Sequence, residues 1–283
     1  FPTATPLAAA GATVPGVSGG NPNLLNEVAD SFTYGAIIRP RFIPGLSLTV
    51  DYIDVKIKQP ISNLSAATIT SACFDNASFN KDDPANGNVF CSYIKRDAAG
   101  QVISDAANPG VITGFVNGNK IRMQGIQSTI DYATSLSGIG APGTLEISGD
   151  MFYLKYRLND ITGVAPVRSD GLLGDPKWQG QLRLRYFNDT WGVSGNVNYV
   201  GKQLSAVTNR GPNPNDTREF DHFKPYTTVD TSFFIDPAKD VRLIFSVTNL
   251  FDRVGEKYYG YIVPASISDA LGRRFALTVR KKY

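Results

Sequence analysis

One histidine, two cysteines and a scatter of carboxylates bound the chemistry open to this chain. His222 sits in Glu219-Phe220-Asp221-His222-Phe223 and would have to serve as the base of any serine–histidine hydrolase. No G-x-S-x-G segment supplies the matching nucleophile, so His222 reads as a loop histidine and no catalytic residue is assigned. A lone histidine also rules out a histidine metal cluster within the chain. Cys73 and Cys91 lie close together in one polar stretch, and in an oxidising compartment such a pair reads as a disulfide. The stretch between and beside them holds Asp75, Asn76, Asp82, Asp83, Asn86 and Asn88. These oxygen groups are calcium-type ligands, but their spacing is not that of an EF-hand loop; a solvated, disulfide-closed loop is expected, with no metal and no cofactor. Tyr258, Tyr259 and Tyr261, beside Lys257, are candidate ligand contacts because aromatic faces stack on sugars and on aromatic ligands. The same tyrosines fit an interfacial girdle equally well.

These residues need a scaffold, and the composition narrows it. The chain has 283 residues, is 42% hydrophobic and 19% charged, and carries a net charge of +3. The basic residues are dispersed, which argues against nucleic-acid binding. No apolar run approaches the roughly 18–20 residues of a membrane helix. A transmembrane barrel is compatible with this composition, because only alternate residues of each strand meet lipid. The chain opens on Phe1 and a loop-like stretch rich in Ala, Gly and Pro, and a fragment of a longer protein is expected.

The dominant hydrophobic period is two. Trp178, Gly180, Leu182, Leu184 and Tyr186 share one face; Gln179, Gln181, Arg183 and Arg185 share the other. Trp191, Val193, Gly195, Val197 and Tyr199 alternate likewise with Gly192, Ser194, Asn196 and Asn198, and Asn188-Asp189-Thr190 supplies the turn between the two runs. Continued along the chain, the pattern predicts nine strands near 30–40, 45–58, 119–136, 143–158, 177–187, 191–203, 225–235, 240–250 and 272–283. Short connections alternate with long ones at 59–118, 159–176, 204–224 and 251–271. Ala66 to Phe74 could form a short helix after Ser65 inside the longest loop. Short turns on one rim and long loops on the other are the layout of outer-membrane barrels, with the short turns periplasmic. By that parity the last strand ends in the periplasm at Tyr283. The same alternation fits a soluble sandwich, whose apolar faces are buried between two sheets. Aromatic residues at the strand ends and the length of the strands favour the membrane. A bacterial barrel has an even number of strands, so nine imply further strands elsewhere.

Several segments resemble the C-terminal half of TonB-dependent outer-membrane receptors. Asn21-Pro22-Asn23-Leu24, with Glu27 and the run Asp30-Ser31-Phe32-Thr33-Tyr34-Gly35, is similar to the family's approach to a barrel strand, although Leu25-Asn26 stands where Lys-Pro is usual. Pro44-Gly45-Leu46-Ser47-Leu48-Thr49-Val50-Asp51-Tyr52, followed by Asp54 and Lys56, resembles its short-turn strand. Asn249-Leu250-Phe251-Asp252 resembles the exit of the penultimate strand, and Gly272-Arg273-Arg274-Phe275 leading to Tyr283 resembles the last strand.

The resemblance implies an all-β fold: about nine strands forming the C-terminal portion of a transmembrane antiparallel barrel of about 22 strands. Residues 1–283 would be barrel only, and the plug domain and the remaining strands would lie outside this chain. The implied activity is uptake of a scarce nutrient (siderophore-iron, cobalamin or oligosaccharide) across the outer membrane of a Gram-negative bacterium. TonB would supply the energy through the plug, and the long loops would be extracellular. Phe275, Leu277, Val279 and Tyr283 would form the terminal signal read by the barrel assembly machinery, with the lipid bilayer as a further partner. Lumen-facing Arg183, Arg185, Asp150 and Glu146 could line the transport path or touch the plug. The readings this competes with are a passive porin or adhesin barrel and an outer-membrane hydrolase using His222.

Overall fold

The computed structural model describes residues 14–75, 88–105, 107–164, 166–205, 222–255, 257–258, 261–262, 269 and 271–281. The chain divides into two compact units. One comprises Phe1–Asp30, Lys56–Arg122 and Leu158–Val167; the other comprises Ser31–Val55, Met123–Arg157 and Arg168–Tyr283.

The second unit is organised by one sheet. Nine strands lie on a single path: β1 Val28–Ile38, β2 Leu46–Lys58, β3 Lys120–Ser135, β4 Thr144–Asp160, β5 Trp178–Phe187, β6 Trp191–Val200, β7 Tyr226–Ala238, β8 Val241–Thr248 and β9 Arg274–Lys281. Their order is β9-β8-β7-β6-β5-β4-β3-β2-β1, so each strand neighbours its predecessor in sequence. A short strand at Val167–Arg168 pairs with β4 off this path. The nine strands are those the period-two pattern predicts, with ends shifted by a few residues. Every pairing from β4 to β9 is antiparallel. Register follows the alternation. Leu182 faces Gly149 and Val197, while Gln181 faces Asp150 and Asn198, so apolar stays with apolar and polar with polar across each pair. The β5–β6 turn is closed by Asn188, whose Oδ1 accepts from the Thr190 and Trp191 amides at 2.9 Å.

What distinguishes this sheet from a sandwich is that its apolar face lies bare. Leu184 is 43% exposed, Val193 40%, Phe245 45% and Leu277 70%. Among the described residues of the nine strands, only Leu154 and Val247 are buried hydrophobics. A soluble sheet of this size would bury that face against a second layer. From Trp178 to Tyr186 the strand rises about 26 Å at ~3.3 Å per residue, or about 20 Å along a membrane normal at ~40° to it, close to the ~25 Å apolar band of a membrane barrel. Rings cluster at both ends of that span. Tyr153 and Trp178 lie 4.5 Å apart at the long-loop end; Tyr186 and Trp191 lie 5.0 Å apart at the short-turn end, with Phe233 at 6.1 Å from Trp191.

The first unit holds the longest loop, and that loop has structure of its own. Helix α1, Ala66–Phe74, begins where Ser65 Oγ accepts from the Thr68 amide at 3.1 Å. Ile69, Ala72 and Cys73, spaced three and four apart, face inward. They join Leu64, Phe90, Cys91, Ile94 and Val111 in a buried cluster. The strand Val111–Asn117 runs parallel to Gly16–Gly19 and antiparallel to Ile61–Leu64. Asn117 ties three segments together: Nδ2 donates to the Leu25 carbonyl at 2.8 Å and the Gln59 carbonyl at 3.1 Å, and Oδ1 accepts from the Leu25 amide at 2.8 Å.

Candidate functional site

The polar face of the sheet is a lattice of side-chain hydrogen bonds built by the strand register. Asp150 on β4 accepts from Gln181 on β5 at 2.8 Å. Asn198 on β6 donates to Asp230 at 3.2 Å and to Thr228 at 3.4 Å, both on β7, and accepts from Asn196 at 2.9 Å. Ser194 and Ser232 hydroxyls meet at 2.8 Å. Toward the short-turn rim, Arg185 pairs with Glu146 at 3.2 Å while its guanidinium lies 4.2 Å from the Phe187 ring centroid. Arg242 repeats the arrangement, bound to Asp236 through two bonds of 2.7 Å and lying 4.1 Å over Phe234. Phe187 and Phe234 flank Gly192, which faces both in the register and is buried between them. Hydroxyls, amides and paired charges give this face the capacity to bind water and polar solutes and no group poised for covalent chemistry.

The four polar-face residues singled out in the sequence separate into two kinds. Arg185 and Glu146 meet each other, Asp150 meets Gln181, and Arg183 stands exposed opposite Ser148 and Asn196.

Outside the membrane-length part of the strands, two networks hold the long-loop ends. Asp170 is fully buried and bound by Arg168 at 2.7 Å, Lys177 at 3.2 Å and the Arg157 amide at 3.3 Å. Burial alone would raise its carboxyl pKa; the hydrogen bonds from Arg168, the Arg157 amide and Lys177 outweigh it and hold the group below the ordinary carboxylate range. The second network centres on Asn249, fully buried and at φ 55°, a left-handed conformation that asparagine tolerates. Its side chain donates to and accepts from Arg253 backbone at 2.8 Å, and its amide donates to Asp230 at 2.8 Å. Tyr226 Oη donates to the Arg253 carbonyl at 2.7 Å and accepts from the Asp269 amide at 3.0 Å. Asp269 lies below the usual range, first through the hydrogen bond from Arg274 and then through the Leu271 amide. The segment Asn249-Leu250-Phe251-Asp252 is therefore a knot that fixes the approach to the last strand, with Asp252 accepting from the Arg273 amide at 2.7 Å. Sequence reading found this segment only by resemblance. The Asp170 cluster gave no signal beyond an Arg and an Asp two residues apart.

The cysteines are joined: Cys73 and Cys91 form a disulfide within the core of the first unit, Cα to Cα 4.8 Å. Of the calcium-type residues, Asn88 is engaged elsewhere, donating to the Ala72 and Cys73 carbonyls. Asn76, Asp82, Asp83 and Asn86 lie outside the described residues, and no cluster of three metal-ligating side chains occurs among the described ones. His222 sits in a two-residue strand opposite Leu204. Tyr258 and Tyr261 are backbone register partners in another two-residue strand pair, and Tyr259 lies outside the described residues. On β9, Phe275, Leu277 and Val279 pair in register with Val247, Phe245 and Leu243, and Phe275 stacks on Phe245 at 6.2 Å. Tyr283 lies outside the described residues.

A sheet with one bare apolar face belted by aromatics and one hydrogen-bonded polar face is the wall of a transmembrane barrel. The comparisons agree. The family model for the TonB dependent receptor-like β-barrel matches residues 1–250, and the chain belongs to that family. No curated protein matches the chain. Solved structures share the fold at low identity. The siderophore receptor PirA from Acinetobacter baumannii is 14% identical with a TM-score of 0.59, over 94% of this chain and 33% of that one. The ferric enterobactin receptor PfeA from Pseudomonas aeruginosa, in complex with BCV-L6, is 17% identical with a TM-score of 0.55, over 95% and 33%. The FrpB iron transporter from Neisseria meningitidis is 14% identical with a TM-score of 0.53, over 95% and 34%. The chain thus spans about a third of the length of these structures. The family places the chain in the outer membrane of Gram-negative bacteria.

Proposed function

We propose that this chain is the C-terminal barrel part of a receptor that takes up a scarce nutrient across the outer membrane with energy delivered by TonB. The plug domain and the remaining barrel strands belong to the rest of the protein, beyond residues 1–283. The observation that carries this reading is the nine-strand sheet with its bare apolar face and hydrogen-bonded polar face, in a chain of this family. The favoured cargo is a siderophore-bound iron, since proteins of like fold are named for siderophore, ferric enterobactin and iron; a copper transporter, OprC, is also among them. Tyr258, Tyr259 and Tyr261 are the loop aromatics proposed to touch that cargo. The long loops face outward and the short turns face the periplasm. Phe275, Leu277, Val279 and Tyr283 present the terminal strand to the barrel assembly machinery, an edge strand being able to pair with another sheet edge.

The test is growth of a siderophore-auxotrophic host carrying the full-length receptor, with and without TonB, on a panel of iron chelates. Uptake that vanishes without TonB is expected. Uptake or steady ion conductance that persists without TonB would show a passive pore and overturn the receptor reading. His222→Ala should leave uptake unchanged and reveal no hydrolase activity to lose.

A further inference from the structure

The four short turns at one end of the second unit differ in charge. The β1–β2 turn carries Arg39 and Arg41, the β5–β6 turn carries Asp189, and the β7–β8 turn carries Lys239 and Asp240. The β3–β4 turn carries none: from Tyr132 to Leu145 there is no charged side chain. Its tip, Ile139, is 80% exposed, and Leu136 and Pro142 flank it. The strands on either side are both paired on both edges, β3 with β2 and β4 with β5, so this exposure does not come from a sheet edge.

We propose that the β3–β4 turn is a lipid anchor, which seats Ile139 in the headgroup–acyl boundary of the phospholipid leaflet at the short-turn rim. The inference rests on the barrel reading above and adds a residue-level contact to it. Three observations select lipid as the occupant. The turn is continuous with the lipid-facing belt, because Tyr186 on the apolar face donates its hydroxyl to the Pro142 carbonyl at 2.7 Å and its ring lies tilted against Trp191 at 5.0 Å. Tyrosine and tryptophan at such a height mark the interface. The turn also satisfies its backbone internally. The Leu136 amide donates to the Gly143 carbonyl at 2.9 Å, the Gly140 amide to Ser137 at 3.1 Å and the Ala141 amide to Leu136 at 3.2 Å. That removes most of the cost of moving peptide groups out of water. Finally, a charge-free turn with an apolar tip, beside turns that carry charge, matches what an interface admits and bulk water does not require.

The experiment uses the full-length receptor in vesicles of phosphatidylethanolamine and phosphatidylglycerol, with a nitroxide on single cysteines at Ile139→Cys, Asp189→Cys and Leu184→Cys. Cys73 and Cys91 are disulfide-bonded and take no label. Oxygen partitions into lipid and a nickel chelate into water. The label at 139 is expected to show a nickel-to-oxygen accessibility ratio several-fold lower than at 189 and to approach that at 184. A ratio at 139 equal to that at 189, with 184 still oxygen-favoured, places the turn in water and overturns the anchor while leaving the barrel intact. Shielding of 139 from both reagents indicates a covering protein segment and also overturns it. Nickel access at 184 as well overturns the membrane reading and the anchor together.

Discussion

At the scale of single residues, the register leaves several glycines where a larger side chain does not fit, and Gly192 is the one set between two aromatic rings. A Cβ on Gly192 would meet the Phe234 ring and come within 2.8 Å of Phe187 Cβ. Both phenyl rings already carry an arginine, Arg185 on one and Arg242 on the other, each held by a carboxylate. Gly192→Ala must push one ring off its guanidinium, so it should destabilise the folded receptor by about 1–3 kcal/mol, the usual cost of overpacking. Urea unfolding in vesicles reads this directly, and an unchanged midpoint would show that the rings move freely. Asp170 makes a prediction with a pH sign. Its folded pKa lies below the unfolded value of ~3.9. The stabilisation it gives is therefore present above that value and is lost as pH falls through the lower folded one. Amide protection of residues 169–175 should hold from neutral pH down to about 4 and drop below it. Asp170→Asn should weaken this loop by roughly 1–3 kcal/mol at neutral pH, because a buried acceptor loses its charge beside Arg168 and Lys177. It should also abolish the acid-dependent loss; hydrogen exchange across pH checks both.

Among the elements, the disulfide-closed segment has a buried core of its own. Its core is eight buried residues, two of them the bridged cysteines. Closing a loop of sequence separation 18 limits the unfolded ensemble by about 3 kcal/mol in the chain-entropy model. Replacing both Cys73 and Cys91 by Ala should raise exchange throughout α1 and the strand Val111–Asn117. β5 and β6 should keep native protection. Equal protection in the variant would show that Leu64, Ile69 and Ile94 hold the segment without the bridge. This region also marks where the sequence stops being legible. The nine strands could be read from the chain because each presents its own period-two pattern and pairs with the next one along. The helix could be read from Ser65 and the apolar spacing that follows. The strands Gly16–Gly19, Ile61–Leu64 and Val111–Asn117 could not. They are short, they show little alternation, and one of them pairs in parallel with a partner far away in sequence. Stretch 59–118 therefore read as a loop, although it folds around its own core. The networks at Asp170 and Asn249 escaped for a related reason: their partners converge from separate segments, and only the backbone places them together. Polar-face residues were legible as a class, but which of them pair depended on a register that alternation alone does not give.

For the whole molecule, the decisive asymmetry is that the two faces of one sheet meet different solvents, and neighbouring residues of one strand can test it. Leu182 lies midway between Trp178 and Tyr186, on the face whose neighbours are Gly149 and Val197. Gln181, one residue earlier, points to the opposite face beside Asp150. In water, arginine at either position would be tolerated about equally, since Leu182 is already 37% exposed. In a bilayer the two must diverge. Arginine at a lipid-facing midplane position costs about 2–4 kcal/mol, because the charge must be hydrated within hydrocarbon or drawn toward the interface. Arginine at 181 remains in an aqueous lumen and gains Asp150 as a partner, so Gln181→Arg should fall within ~0.5 kcal/mol of the parent. The contrast is read by reversible unfolding of the full-length receptor in phospholipid vesicles. Leu182→Arg should lower the unfolding free energy there by several times more than Gln181→Arg. Equal effects at 181 and 182 would place both faces in the same medium, which a barrel wall in a membrane does not permit.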